Sequence, residues 1–347
     1  MSASYVAISW NRHKWLYDAW AVGATVVFLA LFFGVSKLRS HAASDEIVLM
    51  RALGACALLL LTVVLCIGPA ARLWPSLLPL LYNRRHLGVL TFLVALGHGA
   101  VAIGYYHGFG DRNPLVSLLE TGFLVESIRT LPYQLFGFGG LVLLFLLAAT
   151  SHDFWLSTLS PSVWKRLHMS AYGAYGLATL HIVFGALRAN GSLLALLLAL
   201  FGAACVVTVH IAAGLRERRR DRISSAMQEG WIDAGDVETI PAQRARIVSA
   251  RGGERIAVFG DGRSVSAMEN RCAHQGGPLG EGKIIDGCVT CPWHGWQYRA
   301  SDGCSPPPFT EKVRTYPVRI ESGRVFVRML PLPPGTPPPA IRGDDRG

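Results

Sequence analysis

Cys272-Ala-His274, sixteen residues, then Cys291-Pro-Trp-His294 is the stretch of this chain that carries most chemistry. Two thiolates and two neutral imidazoles, each pair on a short loop, suit one [2Fe–2S] cluster per chain, with both cysteines on one iron and both histidines on the other. Neutral histidines remove negative charge from their iron, so such a cluster is easier to reduce than an all-cysteine one. The competing assignment is a Cys₂His₂ zinc site. Zinc fingers group cysteine with cysteine and histidine with histidine, whereas each block here mixes the two, which favours the cluster.

Around the motif, residues 231–330 read as short strands separated by Gly/Asp turns. Arg244–Ser249, Glu254–Phe259, Ser264–Glu269, Lys312–Ile320 and Arg324–Arg328 show the expected alternation, and Ser322-Gly323 predicts a hairpin. Cys288 and Cys304 lie outside the motif and read as packed or surface thiols. The Pro-rich end, 331–347, is expected to be an extended, disordered tail.

The N-terminal two thirds is different. Half the chain (51%) is hydrophobic, too much for one ordinary soluble domain. Its net charge of +10 is uneven: residues 1–222 hold 18 Lys+Arg against 9 Asp+Glu, and residues 223–347 hold 15 against 14. The excess belongs to the apolar part, at the ends of membrane segments, so nucleic-acid binding is not implied. Seven cysteines without a paired spacing beyond the motif argue against a secreted disulfide framework.

Apolar stretches long enough to cross the roughly 30 Å hydrocarbon layer fall at about 17–36, 48–70, 87–107, 133–150, 167–188 and 192–214. The first reads as an uncleaved anchor rather than a signal peptide. The expected organisation is multi-domain. An all-α six-helix transmembrane bundle (1–215) leads through a basic linker (216–230) to an all-β domain of antiparallel sheets (231–330). Arg12, Lys14, Arg72, Arg84, Arg85, Lys165, Arg166 and the run 216–222 share one side, and the positive-inside rule makes it cytoplasmic. Both termini and the cluster domain then face the cytosol of a plasma (inner) membrane.

Ionisable residues inside spans are costly and point to function. His86 and His98 fall on the third span, His168 and His181 on the fifth. At 1.5 Å per residue, His98 lies about 18 Å beyond His86 and His181 about 20 Å beyond His168. The depths match, so His98 with His181 and His86 with His168 could form two bis-His haem sites. For His86 the plainer reading is an interfacial histidine beside snorkelling arginines. His107 and His152 are expected to be interfacial, and His210 is a weak ligand candidate.

The stretches Cys272-Ala-His-Gln-Gly-Gly-Pro-Leu and Cys291-Pro-Trp-His-Gly-Trp closely resemble the Rieske iron–sulfur family. That resemblance implies Cys272, His274, Cys291 and His294 as cluster ligands. Gly277 and Trp293 stand where quinol-oxidising members carry two disulfide-forming cysteines, so that bridge cannot form. Trp296 stands where they have a serine that donates to a cluster sulfur. Fewer such bonds imply a potential at the low end of the range, roughly −150 mV, as in the ferredoxin and ring-hydroxylating dioxygenase branch.

Over residues 15–215, Arg84-Arg85-His-Leu-Gly…Ala95-Leu-Gly-His98, Trp164-Lys-Arg-Leu-His168-Met-Ser-Ala-Tyr172 and Leu180-His181 resemble the ferric-reductase-like transmembrane family. This implies one or two b-type haems on His98, His168 and His181, with His86 the candidate fourth ligand. Such proteins usually receive electrons from a cytoplasmic flavin module. This sequence holds no G-x-G-x-x-G after a strand, and the Rieske-like domain occupies that place. Together the resemblances imply transmembrane electron transfer. The expected donor is a cytosolic flavin reductase or ferredoxin-reductase-like protein, and the expected acceptor is an unidentified extracytoplasmic protein or quinone, with no nucleic-acid partner. The alternatives are a membrane-anchored ferredoxin-like component serving an oxygenase, or a redox sensor without net transfer. No acid, base or nucleophile is required.

Overall fold

The computed structural model describes residues 12–39, 44–81, 83–122, 133–152, 155, 159, 161–186, 192–223, 227–228, 230–241, 245–250, 254–260, 264–274, 276–293, 295–307 and 309–338. The chain divides into two compact units: Trp10–Ala70 with Asn83–Ile211, and Ala71–Tyr82 with Ala212–Gly347.

The first unit is helical. The described helices are α1 (Arg12–Arg39), α2 (Asp45–Leu73), the single turn α3 (Leu78–Leu81), α4 (Arg84–His107), α5 (Pro114–Gly122), α6 (Tyr133–Ala149), α7 (Pro161–His168), α8 (Ser170–Ala186) and α9 (Leu193–Ile223), of which α3 and the last turns of α2 and α9 fall in the second unit. Among the described residues, α1, α2, α4 and α9 are long and apolar enough to cross a membrane, and α6 is a shorter apolar helix. Helices of nine residues or more number seven rather than six among the described residues, because α5 adds to the expected set. It escaped notice because its nine residues cannot span a bilayer. The expected span 167–188 is interrupted near its start: α7 ends at His168, Met169 is a turn, and α8 covers Ser170–Ala186, residues 187–188 lying outside the described residues.

Small residues let the shorter helices approach. On α6, Gly140 meets the Ala174 carbonyl and Leu177 of α8, and Gly139 meets Leu177. A Cβ built on Gly140 would lie 3.5 Å from that carbonyl oxygen, ordinary contact for a methyl but not for a larger side chain. Without water to drive association, close backbone packing of this kind holds spanning helices together.

The second unit contains an all-β domain. One sheet has the order β1 (Met227–Gln228), β2 (Trp231–Asp236), β11 (Arg324–Arg328), β10 (Val318–Glu321). The next is β3 (Ala245–Ser249), β4 (Arg255–Gly260), β5 (Val265–Glu269), β9 (Thr315–Tyr316). The third is β6 (Lys283–Ile285), β7 (Cys288–Thr290), β8 (Gln297–Arg299). Each described pairing is antiparallel.

Alternation along β4 explains how two cores form. Ile256 and Val258 join one cluster with Ile232, Val248, Val325 and Val327. Ala257 and Phe259, pointing the other way, join a second with Met268, Leu279, Val289 and Tyr298. All four β4 side chains are fully buried, and each larger one contributes about 1.5–3 kcal/mol of apolar transfer. The predicted hairpin is present: Glu321 pairs with Arg324 across Ser322 and Gly323, whose φ values of 49° and 76° give the left-handed backbone that a two-residue turn needs.

The segment expected as one strand, Lys312–Ile320, is two short strands interrupted at Pro317, which has no N–H for a ladder. The expected basic linker begins as helix, since α9 runs on to Ile223. The expectation of a disordered tail fails for residues 331–336. Leu332 N–H donates to the Thr315 carbonyl at 2.8 Å, and the Thr315 hydroxyl donates to the Thr336 carbonyl at 2.6 Å. Proline bars a sheet but not docking by the remaining backbone groups. Residues 339–347 lie outside the described residues.

Candidate metal centres

In the β-domain, Cys272 and Cys291 begin two turns of the same form. Gly276 N–H donates to the Cys272 carbonyl at 2.7 Å, and Gly295 N–H to the Cys291 carbonyl at 2.9 Å. Cys272 N–H donates to the Gly277 carbonyl at 2.8 Å, and Cys291 N–H to the Trp296 carbonyl at 2.7 Å. Both closing glycines have φ of +71°, a conformation that side chains with a Cβ resist. The turns thus fix two buried thiols, each 2% exposed, on matching backbones.

The turns face one another closely. A Cβ on Gly277 of the first loop would lie 2.7 Å from Cys291 Sγ and 3.1 Å from the Trp293 ring. This closeness sets the Cys291 sulfur against the first loop, and the soft, thiolate-forming chemistry of the two cysteines fits an iron–sulfur cluster. The His274 ring stacks on Trp296, centroids 4.1 Å apart and planes within 8°. Trp296 in turn packs on Phe309 at 4.3 Å and donates its indole N–H to Ser305 Oγ at 2.9 Å. His294 lies outside the described residues.

The sequence reading missed Tyr298. It is fully buried, its hydroxyl lies 3.3 Å from Cys272 Sγ, and it accepts from the His274 backbone N–H at 3.2 Å. Burial, with the Cys272 sulfur beside it, pushes this phenol far up, so it keeps its proton. Toward a metal-bound thiolate it is therefore the donor. Trp296 gives its N–H away from sulfur, as its replacement of serine implies, but Tyr298 restores one bond that the sequence reading did not count. Cys288 and Cys304 are half-buried, and burial pushes the Cys288 thiol up.

In the helical unit, His98 of α4 and His181 of α8 come together with ring centroids 6.1 Å apart and planes at 80°. His98 Nδ1–H donates to the Met50 carbonyl at 2.8 Å, and His181 Nδ1–H to the Tyr133 carbonyl at 2.7 Å. A carbonyl only accepts, so both rings carry hydrogen on Nδ1 and keep the Nε2 lone pair. Two imidazoles on one iron, with metal–nitrogen bonds of about 2.0 Å and roughly 1.1 Å more to each ring centre, have centroids about 6.2 Å apart. The pair fits a bis-His haem.

Two glycines make the room. A Cβ on Gly54 of α2 would lie 2.9 Å from the His98 ring, and one on Gly137 of α6 would lie 2.8 Å from His181 Nδ1. Both positions are closed to any larger residue unless the imidazoles move.

His168 stacks on Trp164 at 3.7 Å, donates from Nδ1 to the Trp164 carbonyl at 3.1 Å, and has Nε2 3.5 Å from Ser151 Oγ. His86 Nδ1 lies 2.7 Å from Asp18 Oδ2. His107 is buried, with Nδ1 3.0 Å from Ser117 Oγ, while His152 is exposed. His210 uses both nitrogens, donating to the Val206 carbonyl and accepting from Tyr172 O–H, each at 2.7 Å.

A family model for the Rieske [2Fe-2S] domain matches residues 230–317, and one for the ferric reductase like transmembrane component matches residues 52–179. The anthranilate 1,2-dioxygenase ferredoxin subunit of Burkholderia cepacia is 42% identical over 79 residues, 22% of this chain and 73% of that protein. The ferredoxin component of the naphthalene 1,2-dioxygenase/salicylate 5-hydroxylase systems of Ralstonia sp is 31% identical over 106 residues, 30% of this chain and 99% of that protein. The probable 3-ketosteroid-9-alpha-monooxygenase oxygenase component of Rhodococcus rhodochrous is 30% identical over 117 residues, but the chain spans only 29% of its length. With paired cysteine turns in one unit, long apolar helices in the other and both family models in one chain, this is a membrane-embedded electron-transfer protein of the Rieske [2Fe–2S] family, its cluster domain following a ferric-reductase-like transmembrane component in the sequence.

Proposed function

We propose that the chain carries single electrons across a membrane, between a donor that meets the Rieske domain in the cytosol and an acceptor on the outer side. The observation that carries this reading is the His98–His181 pair, 6.1 Å apart over Gly54 and Gly137, in the same chain as a Rieske domain. Reversible one-electron exchange is the chemistry that a [2Fe–2S] cluster and a b-type haem supply when bound.

Cys272, His274, Cys291 and His294 hold the cluster in this reading, and Tyr298 tunes it by donating to Cys272. His98 and His181 hold haem, the carbonyls of Met50 and Tyr133 fixing their tautomers and adding ligand basicity. His168 and His86 belong to a second haem site. The donor is a flavin reductase or ferredoxin-reductase-like protein, and the acceptor is an extracytoplasmic protein or quinone. Lysine and arginine placement supports the sidedness.

The test is the visible spectrum of the purified chain. A b-type α-band is expected, reduced when electrons are supplied to the cluster by a flavin reductase, and diminished by one haem per chain in His98→Ala and His181→Ala. Full haem content in both variants would overturn the ligand assignment. A second reading, a membrane-anchored ferredoxin serving an oxygenase, is favoured by likeness to ferredoxin components of dioxygenase systems. A chain with cluster but no b-type band would select it.

A further inference from the structure

Asp18 is the single carboxylate within the six apolar stretches of the sequence. A charge in such a place persists only with a partner and marks function by default. Its partners are on α4 and just before it. Asn83 Nδ2 donates to Asp18 Oδ1 at 2.6 Å, and Asp18 Oδ2 lies 2.7 Å from His86 Nδ1. Asn83 is 3% exposed, and the Asp18 and His86 side chains are about four fifths shielded.

Each of the four histidines assigned to the bundle is held at Nδ1. Three use carbonyls, of Met50, Tyr133 and Trp164; His86 alone uses a carboxylate.

We propose that Asp18 is the positioning residue for His86 as a ligand of a second haem iron, with Asn83 fixing the carboxylate. The proposal rests on the reading that the helical unit binds haem. A carboxylate at Nδ1 makes the imidazole a stronger donor than a carbonyl does and orients Nε2 for the metal. Stronger donation favours the ferric state, so the haem at His86 has the lower potential of the two.

The test uses the full chain, comparing haem per chain with a potentiometric titration of the α-band. Wild type is expected to hold two haems and His86→Ala one. Asp18→Asn is expected to keep both while its lower-potential haem moves upward, an about tenfold change in the oxidised-to-reduced ratio at fixed potential. Asp18→Glu is expected to restore the original value. Should Asp18→Asn fail to accumulate, Asn83→Ala is titrated instead, with a smaller upward shift expected. Unshifted potentials in these variants, with one haem lost from His86→Ala, overturn the role of Asp18 alone. Two haems in His86→Ala, or one in wild type, overturn the second site and the proposal with it. A wild type with no haem overturns the broader reading instead.

Discussion

In the β-domain the buried sulfurs come from two five-residue turns, each closed by its own backbone hydrogen bonds. In the helical unit, His98 and His181 come from separate helices, and two further helices supply the glycines beside their rings. The β-site is organised locally, so its geometry belongs to the loops. The helical site is organised by clearance, so its geometry belongs to neighbours that carry no chemistry. Substitutions should therefore act at the ligands in one region and at silent glycines in the other.

The largest effect is expected at the sulfurs. Cys272→Ser or Cys291→Ser should abolish the cluster, read as loss of non-haem iron, acid-labile sulfide and the reduced-state EPR signal, while haem content stays. A variant that kept the signal would show that the turns do not hold the metal.

Next come the glycines. Gly137→Val sets methyl groups where a Cβ alone would stand 2.8 Å from His181, and should cut occupancy of the His98–His181 haem by about tenfold or more without touching the cluster. Gly277→Ala, whose Cβ would stand 2.7 Å from Cys291 Sγ, should reverse that pattern. Equal loss of both cofactors in either variant would erase the contrast between the regions.

A smaller effect is expected at Tyr298. Removing a donor from a cluster sulfur destabilises the more negative, reduced state. If that bond differs by about 1 kcal/mol between redox states, Tyr298→Phe lowers the cluster potential by about 40 mV. An upward or absent shift in a dye-linked titration would show that the hydroxyl does not donate to Cys272.

The smallest effect concerns pH. Burial pushes the Asp233 carboxyl up, but hydrogen bonds from Arg324 and the Gly235 N–H, with the Arg324 charge, outweigh it and hold the group below the ordinary carboxylate range. The ion pair joins β2 to β11. A lowered folded-state value gives stability that is present above the ordinary carboxylate value and is lost as pH falls through the folded one. The melting midpoint of the cluster absorbance should therefore drop in acid, and Asp233→Asn should remove about a degree or two of that dependence.

What the sequence disclosed follows the same division. The cysteine turns and the Ser322-Gly323 hairpin depend on residues close in the chain, so spacing revealed them. The strands β6 to β8 have three residues each, too few for alternation to register. Matching depths brought His98 and His181 together on paper, but Gly54 and Gly137 looked like any other helical glycines because their role exists only when a ring lies across them. Tyr298 was hidden for a similar reason, being defined by a sulfur on another loop. Asp18 did leave a signal in the sequence, a carboxylate inside an apolar stretch.

Because successive side chains of β4 feed opposite cores, the strand works as a ruler with a pitch of one residue. Adding or deleting a single amino acid in the preceding turn would exchange Phe259 and Val258 between the two cores. Descendants of this chain must therefore keep fixed the count of residues leading into that strand.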